Sequence, residues 1–131
     1  MNLSWDPFLG QVRESGAYTT EKEAERVVRA VLAALGAQLE GEARTDLAAQ
    51  LPSRCKPLLL DQLPATRPMT PTEFVAAVAL LIDGATEETA RWDTSAVLNT
   101  VADCVDSRLV EQILAQLPAG YGLLFRHPVR T

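Results

Sequence analysis

The chain has 131 residues and a formal net charge of −5, with 47% hydrophobic but only 5% aromatic residues. A chain of this length can bury a core without a metal or a disulfide, as one ordinary domain or two very small ones. Because Lys and Arg do not cluster and no uncharged apolar run approaches ~20 residues, we expect neither nucleic-acid binding nor membrane insertion.

The first half of the chain predicts helices separated by short breaks. Ala, Leu and Val dominate its apolar residues, which favours helices over sheets. Ser4 is a plausible N-cap for a first helix, and Thr20, with Glu23 three residues later, opens a long one. The predicted helices are 4–13, 20–38 and 42–50, followed by a short turn at 55–60 and a linker at 62–69.

The second half predicts the same succession of elements, near 71–82, 87–104, 107–116 and 120–126. Thr70-Pro71-Thr72-Glu73 reads as a capping box with proline at the first helical position, and Asp106 or Ser107 supplies a later cap. No run alternates polar and apolar residues in the manner of a strand. The sequence therefore predicts an all-α fold.

One tetrapeptide indicates a duplication. Ala49-Gln50-Leu51-Pro52 reappears as Ala115-Gln116-Leu117-Pro118, 66 positions later, and the same shift places Phe8 on Phe74 without a gap. We interpret the chain as two tandem helical repeats, residues 1–66 and 67–131, with three to four helices each. We expect the repeats to pack together into a single compact helical bundle.

The repeats differ first in their opening helix. Residues 74–82 are apolar without exception, whereas the counterpart in the first repeat is half polar. A helix that is apolar all round is expected to be buried all round, here between the repeats. The alternative is that one face, carrying Val75 or Leu81, forms a homodimer or partner surface.

The repeats differ again in the long helix, where Arg26-Val27-Val28 becomes Trp92-Asp93-Thr94. One interpretation is a locally rotated helix that docks Trp92 and exposes Asp93. The other is that Trp92 and Asp93 form a contact patch, because Trp is enriched at binding hot spots.

We find no motif for catalysis, a cofactor or a metal. His127 is the single histidine and lies in the tail beside Pro128, and Cys55 and Cys104 are the two cysteines, so no zinc signature is possible. Two reduced thiols suit a reducing cytoplasm, although a disulfide between them remains an alternative. The N-terminal segment does not resemble a signal peptide, and we expect a cytoplasmic protein.

The chain, taken with its second copy, resembles the bacterial Domain of Unknown Function family twenty-two sixty-seven. The positions that carry the resemblance are Phe8, Glu23-Ala24-Glu25-Arg26, Ala30-Val31-Leu32 and Gln50-Leu51-Pro52. The second repeat departs from that pattern at Trp92-Asp93-Thr94. The resemblance implies a small helical bacterial protein and supplies no established activity or site.

The leading hypothesis is therefore a non-catalytic helical protein-interaction or scaffold module. It would act through an acidic helical surface or as a homodimer. The alternative is a carrier of a small apolar ligand or lipid, held in a groove between the repeats, for which an apolar pocket of roughly 300–1,000 Å³ is expected.

Overall fold

A computed structural model of the protein describes residues 4–65 and 67–125, and every regular element within them is helical. One turn of 3-10 helix, Ser53–Cys55, leads into the fourth α-helix. The predicted all-α fold is confirmed. The eight α-helices of the described residues are α1 (Trp5–Gly16), α2 (Glu21–Gln38), α3 (Gly41–Gln50), α4 (Lys56–Leu60), α5 (Pro71–Leu81), α6 (Glu87–Cys104), α7 (Ser107–Gln116) and α8 (Tyr121–Leu124).

The helix starts follow the capping residues that the sequence predicted. Thr70 and Glu73 form a reciprocal capping box at α5, and the Thr20 hydroxyl accepts a hydrogen bond from the Glu23 N–H at α2. Asp106 caps α7, because its carboxylate accepts from the Leu109 N–H at 2.8 Å. Ser4 precedes α1 but makes no side-chain cap.

Helix α1 runs to Gly16, three residues further than predicted, because a regular C-terminal motif extends it. The Tyr18 N–H donates to the Arg13 carbonyl and the Ala17 N–H to the Glu14 carbonyl, which is the Schellman arrangement. Ala17 takes the left-handed conformation there, with φ 57° and ψ 40°. The motif turns the chain sharply and sends Tyr18 back toward the bundle.

Helix α6 lies at the centre of the bundle. Its buried residues are Ala90 and the uninterrupted run 93–101, so the helix is enclosed on all sides there. Helices α1, α2, α5 and α8 pack around it. Since α1 and α2 come from the first half of the chain, the core is shared between both halves.

The expectation that residues 74–82 are buried all round is wrong. Phe74, Val75 and Val78 are buried, but Leu80 is 88% and Leu81 56% exposed. The apolar composition did not predict burial here, because α5 packs against α6 and α2 along one side only. The described part of the chain places no element over the C-terminal end of α5. The helix surrounded by protein is α6, whose sequence is of only average hydrophobicity.

Helices α3 and α7 are joined by a reciprocal pair of glutamines. The Gln50 amide accepts from the Asp106 N–H and donates to the Asp106 carboxylate, both at 3.0 Å. The Gln116 amide accepts from the Glu40 N–H at 3.1 Å and donates to the Glu40 carbonyl at 3.0 Å. Each glutamine ends one helix and binds the N-cap residue of the other.

We predict that Gln116→Ala lowers the free energy of unfolding by about 1 kcal/mol, because it removes two hydrogen bonds at an exposed helix start. Urea unfolding followed by circular dichroism measures this. The control is Gln112→Ala, an exposed glutamine on the same helix, which separates the lost bonds from the change in helix propensity. Equal stability of the two variants would contradict the role of the amide bridge.

Candidate functional site

A buried carboxyl group stands between the two halves of the chain. Asp93, on α6, is 8% exposed, and the hydroxyl of Tyr18 donates to its Oδ1 at 2.6 Å. Oδ2 has no hydrogen-bond donor among the described residues. Oδ2 is not among the fully buried atoms that lack a partner, so the protein supplies one hydrogen bond to the carboxyl group and leaves its second oxygen accessible.

The sequence around α1 fixes Tyr18 in place. A Cβ at Gly16 would collide with the Tyr18 ring, so only glycine allows the ring to lie against the end of the helix. The Arg13 guanidinium donates to the Tyr18 and Thr19 carbonyls, at 3.3 and 2.8 Å, and holds the loop from the other side. The tyrosine that meets Asp93 is therefore held by its own local structure.

Trp92 supplies a second bond across the same junction. Its indole N–H donates to the Gly16 carbonyl at 2.9 Å, yet 38% of the residue remains exposed. The interpretation in which Trp92 docks and Asp93 is exposed is thus wrong about Asp93, which is buried. The aspartate turns inward because Tyr18, 75 residues away in sequence, offers it a donor.

A cleft of about 220 Å³ opens beside this pair. It lies between the start of α2 and the loop that joins α5 to α6. The lining residues are Tyr18, Glu23, Arg26, Val27, Ile82, Asp83, Gly84, Ala85, Thr89 and Asp93. Three of them are acidic and one is basic, so the formal charge of the cleft is negative.

The electrostatics of the pair follow from burial. Burial raises the pKa of Asp93, the bond from Tyr18 opposes that shift, and the charge of Glu23 adds to it. Burial and the neighbouring Asp93 also raise the pKa of Tyr18 above its ordinary value. Glu23 behaves oppositely, since hydrogen bonds from Thr19 lower the pKa of its exposed carboxyl group.

The predicted contact residues divide into two groups. Asp93 and the partly exposed Trp92 lie at the junction of α1 and α6, whereas Val75 is a core residue, 3% exposed. Leu81 is exposed and immediately precedes Ile82, which lines the cleft. The apolar end of α5, which we define as Leu80 and Leu81, thus adjoins the cleft along the chain.

Sequence reasoning missed the buried polar run of α6. Thr94, Ser95, Asn99 and Thr100 are all buried. Asn99 donates to the Ser95 carbonyl and Thr100 to the Ala96 carbonyl, so the helix itself provides acceptors for these two residues, whereas the buried Thr94 hydroxyl has no partner among the described residues. Small or self-satisfied polar groups at helical spacing are the signal that could have predicted burial here.

The remaining candidates for chemistry are dispersed. Cys55 is buried and Cys104 partly buried, both are free thiols, and burial raises the pKa of Cys55 to about 12. His127 lies outside the described residues. Within residues 4–65 and 67–125, no group of three or more His, Cys, Asp and Glu side chains is placed to hold a metal ion. Every helix in those ranges is too short or too polar to span a bilayer.

These features define a small all-helical protein with a central enclosed helix and an acidic cleft at the junction of its halves. A family model described as "Uncharacterized conserved protein (DUF2267)" matches residues 5–124. The chain belongs to that family, and the family resemblance predicted from the sequence is confirmed. A search of curated proteins found no match.

We predict that Tyr18→Phe lowers the free energy of unfolding by about 1–3 kcal/mol, because it leaves the buried Asp93 carboxyl group without its donor. Chemical denaturation at neutral pH measures the loss. Trp92→Phe serves as the comparison, because it removes the other hydrogen bond across the junction, in which the donor and the acceptor are both neutral. A Tyr18→Phe protein as stable as the parent would contradict the assigned bond.

The stability of Asp93→Asn relative to the parent should depend on pH. Because burial raises the native pKa of Asp93 above its unfolded value, the native state holds the proton more tightly. The free energy of unfolding of the parent should therefore fall relative to that of the variant as pH rises from the ordinary aspartate pKa, about 4, to the raised native pKa. Above the native pKa, the difference between the two proteins should stay constant.

Urea unfolding from about pH 4 to about pH 7 measures this profile. The control variant Asp46→Asn removes an exposed carboxylate of α3. A profile of the same shape for the control would assign the effect to net charge rather than to Asp93.

Proposed function

We propose that the protein is a non-catalytic, cytoplasmic protein-interaction module whose contact surface centres on the apolar end of α5. The observation that carries the proposal is the exposure of Leu80 at 88% and Leu81 at 56%. The two lie side by side at the end of a helix whose other large residues, Phe74, Val75 and Val78, are buried.

The energetic argument concerns what a partner would gain. Covering a leucine that stands in water contributes about 1.5–3 kcal/mol, so two adjacent leucines can anchor an interface. The partly exposed indole of Trp92 belongs to the residue type most enriched at binding hot spots. Apolar side chains grouped near a polar cleft match the usual layout of an interface, with an apolar centre and a polar rim.

The proposed scaffold includes the tandem duplication predicted from the sequence. The glutamine bridges support it, since Gln116 is Gln50 shifted by 66 positions and Asp106 is Glu40 shifted by 66 positions. The long helices support it too, since Glu87–Cys104 is Glu21–Gln38 under the same shift. A pair of equivalent residues that bind each other's helix start is the pattern expected of duplicated units related by an approximate two-fold axis.

The carrier of an apolar ligand gains less support. A groove between the halves would need an apolar lining, yet the cleft of about 220 Å³ at that junction has four charged residues in its lining, Glu23, Arg26, Asp83 and Asp93. A second cleft, of about 330 Å³, is lined by Gln38, Glu40, Arg67 and Gln116 along with small residues. The interaction module is therefore the function that we propose.

Glutamate substitutions on the two sides of α5 test the proposal. We predict that Leu81→Glu keeps its circular dichroism spectrum but loses the bound protein mass, from a second copy or another chain, that native mass spectrometry detects on the parent. Val75→Glu should instead fail to fold, because it buries a charge in the core.

Leu63→Glu is the matched control for Leu80→Glu, because Leu63 is 87% exposed and Leu80 88%. Leu63 lies near the C-terminal end of α2, because the Ala65 N–H donates to the Ala37 carbonyl there. The cleft lies at the opposite, N-terminal end of α2. If Leu63→Glu and Leu80→Glu lower the bound mass equally, the α5 surface is not the interface. A parent that is monomeric and retains a few hundred daltons of ligand would favour the carrier instead.

A further inference from the structure

Resting on the proposed function, we infer that the cleft beside the apolar end of α5 receives a lysine or arginine side chain of the partner protein. In this arrangement, apolar residues next to that basic side chain cover Leu80 and Leu81. The occupant is thus an apolar segment of another protein that carries one cation.

The charges of the cleft favour a cation. Glu23, Asp83 and Asp93 oppose a single positive group, Arg26, among the lining residues. The positive charge of Arg26 acts on Glu23, since it helps to lower the pKa of that carboxyl group after the larger effect of the hydrogen bonds from Thr19. Asp83 and Asp93 remain without a basic neighbour in the lining.

The hydrogen bonding of Asp93 favours a donor. Tyr18 occupies Oδ1, whereas Oδ2 has no donor among the described residues and is not one of the atoms sealed from solvent, so a ligand in the cleft can reach it. An ammonium or guanidinium group brings several N–H donors and the opposite charge, and bonds of that kind are shorter and stronger than neutral ones. A basic side chain would therefore complete the shell that Tyr18 begins.

The size of the cleft favours one side chain over a whole ligand. Its volume of about 220 Å³ is below the roughly 300–1,000 Å³ of typical small-molecule sites. The cleft is also bounded on one side by Ile82, which follows the exposed leucines directly. An apolar segment over those leucines would shield the ion pair from water and so strengthen it.

The test uses two synthetic peptides, acetyl-Leu-Ala-Ala-Leu-Gly-Lys-amide and the same sequence with norleucine in place of lysine. Each is titrated into the ¹⁵N-labelled full chain, and amide shifts of Gly84 and Thr89 report occupancy of the cleft. We expect the lysine peptide to bind about tenfold more tightly at pH 7. Asp93→Asn should reduce that preference to about twofold or less, and Asp46→Asn should leave it intact.

A second variant keeps the test decisive if Asp93→Asn does not fold. Asp83→Asn removes an exposed carboxylate in the loop before α6 and should lower the preference for lysine without affecting the norleucine peptide. Leu80→Glu, in contrast, should weaken both peptides, because it disrupts the apolar contact that they share.

The outcomes separate the two proposals. Equal binding of both peptides that Leu80→Glu abolishes would overturn the basic side chain and leave the interaction surface standing. Binding of neither peptide would count against both. If n-butylammonium alone binds as tightly as the lysine peptide, the cleft takes free amines, and the inference of a protein segment is overturned.

Discussion

The enclosure of α6 is the constraint on which the rest of the structure depends. A helix on a protein surface needs cover along one stripe, but one buried from residue 93 to 101 needs neighbours on every side. Helices α1, α2, α5 and α8 supply them. Neither half of the chain can meet this requirement alone, so both contribute to one core. The buried hydroxyl and amide groups of Asn99 and Thr100 bond to their own helix, which lets the surrounding helices pack on a polar sequence.

The opening helices of the two halves are held differently at their C-terminal ends. The end of α1 is bound to α6 by the Trp92 indole and by the Tyr18–Asp93 bond. At the positions 66 residues earlier, α2 carries Arg26 and Val27, which make no such bonds to α5 among the contacts of the described residues. Under the same shift, Leu80 and Leu81 correspond to Glu14, which is exposed, and Ser15, which is half-buried. The apolar surface at the end of α5 therefore reflects the leucines that the sequence places there. If the halves arose by duplication, the substitutions at residues 92 and 93 added bonds to the end of α1, and the leucines at residues 80 and 81 gave the end of α5 an apolar surface.

Local chemistry made much of the fold predictable. The capping box at Thr70, the Thr20 cap and the Asp106 cap depend on residues within three positions of each other, and each lies where the sequence predicted. The candidate site was harder, because burial of Asp93 depends on a tyrosine 75 residues away. The exposure of Leu80 depends in the same way on which helices reach it. Hydrophobic composition reports what a helix can bury, and only the packing of the whole chain decides what it does bury.

The buried carboxyl group and the exposed leucines would have different roles in the proposed interface. Apolar area supplies affinity but discriminates little between partners, because any apolar segment of suitable shape gains from it. A partly satisfied carboxylate discriminates strongly, since a partner that covers it without a donor leaves its charge uncompensated. Burial raises the pKa of Asp93, so the native state favours the protonated carboxyl group over the ionised one. Because Gly16 and Arg13 hold Tyr18 where it meets Asp93, the proposed role of this aspartate is selection among partners rather than stabilisation of the fold.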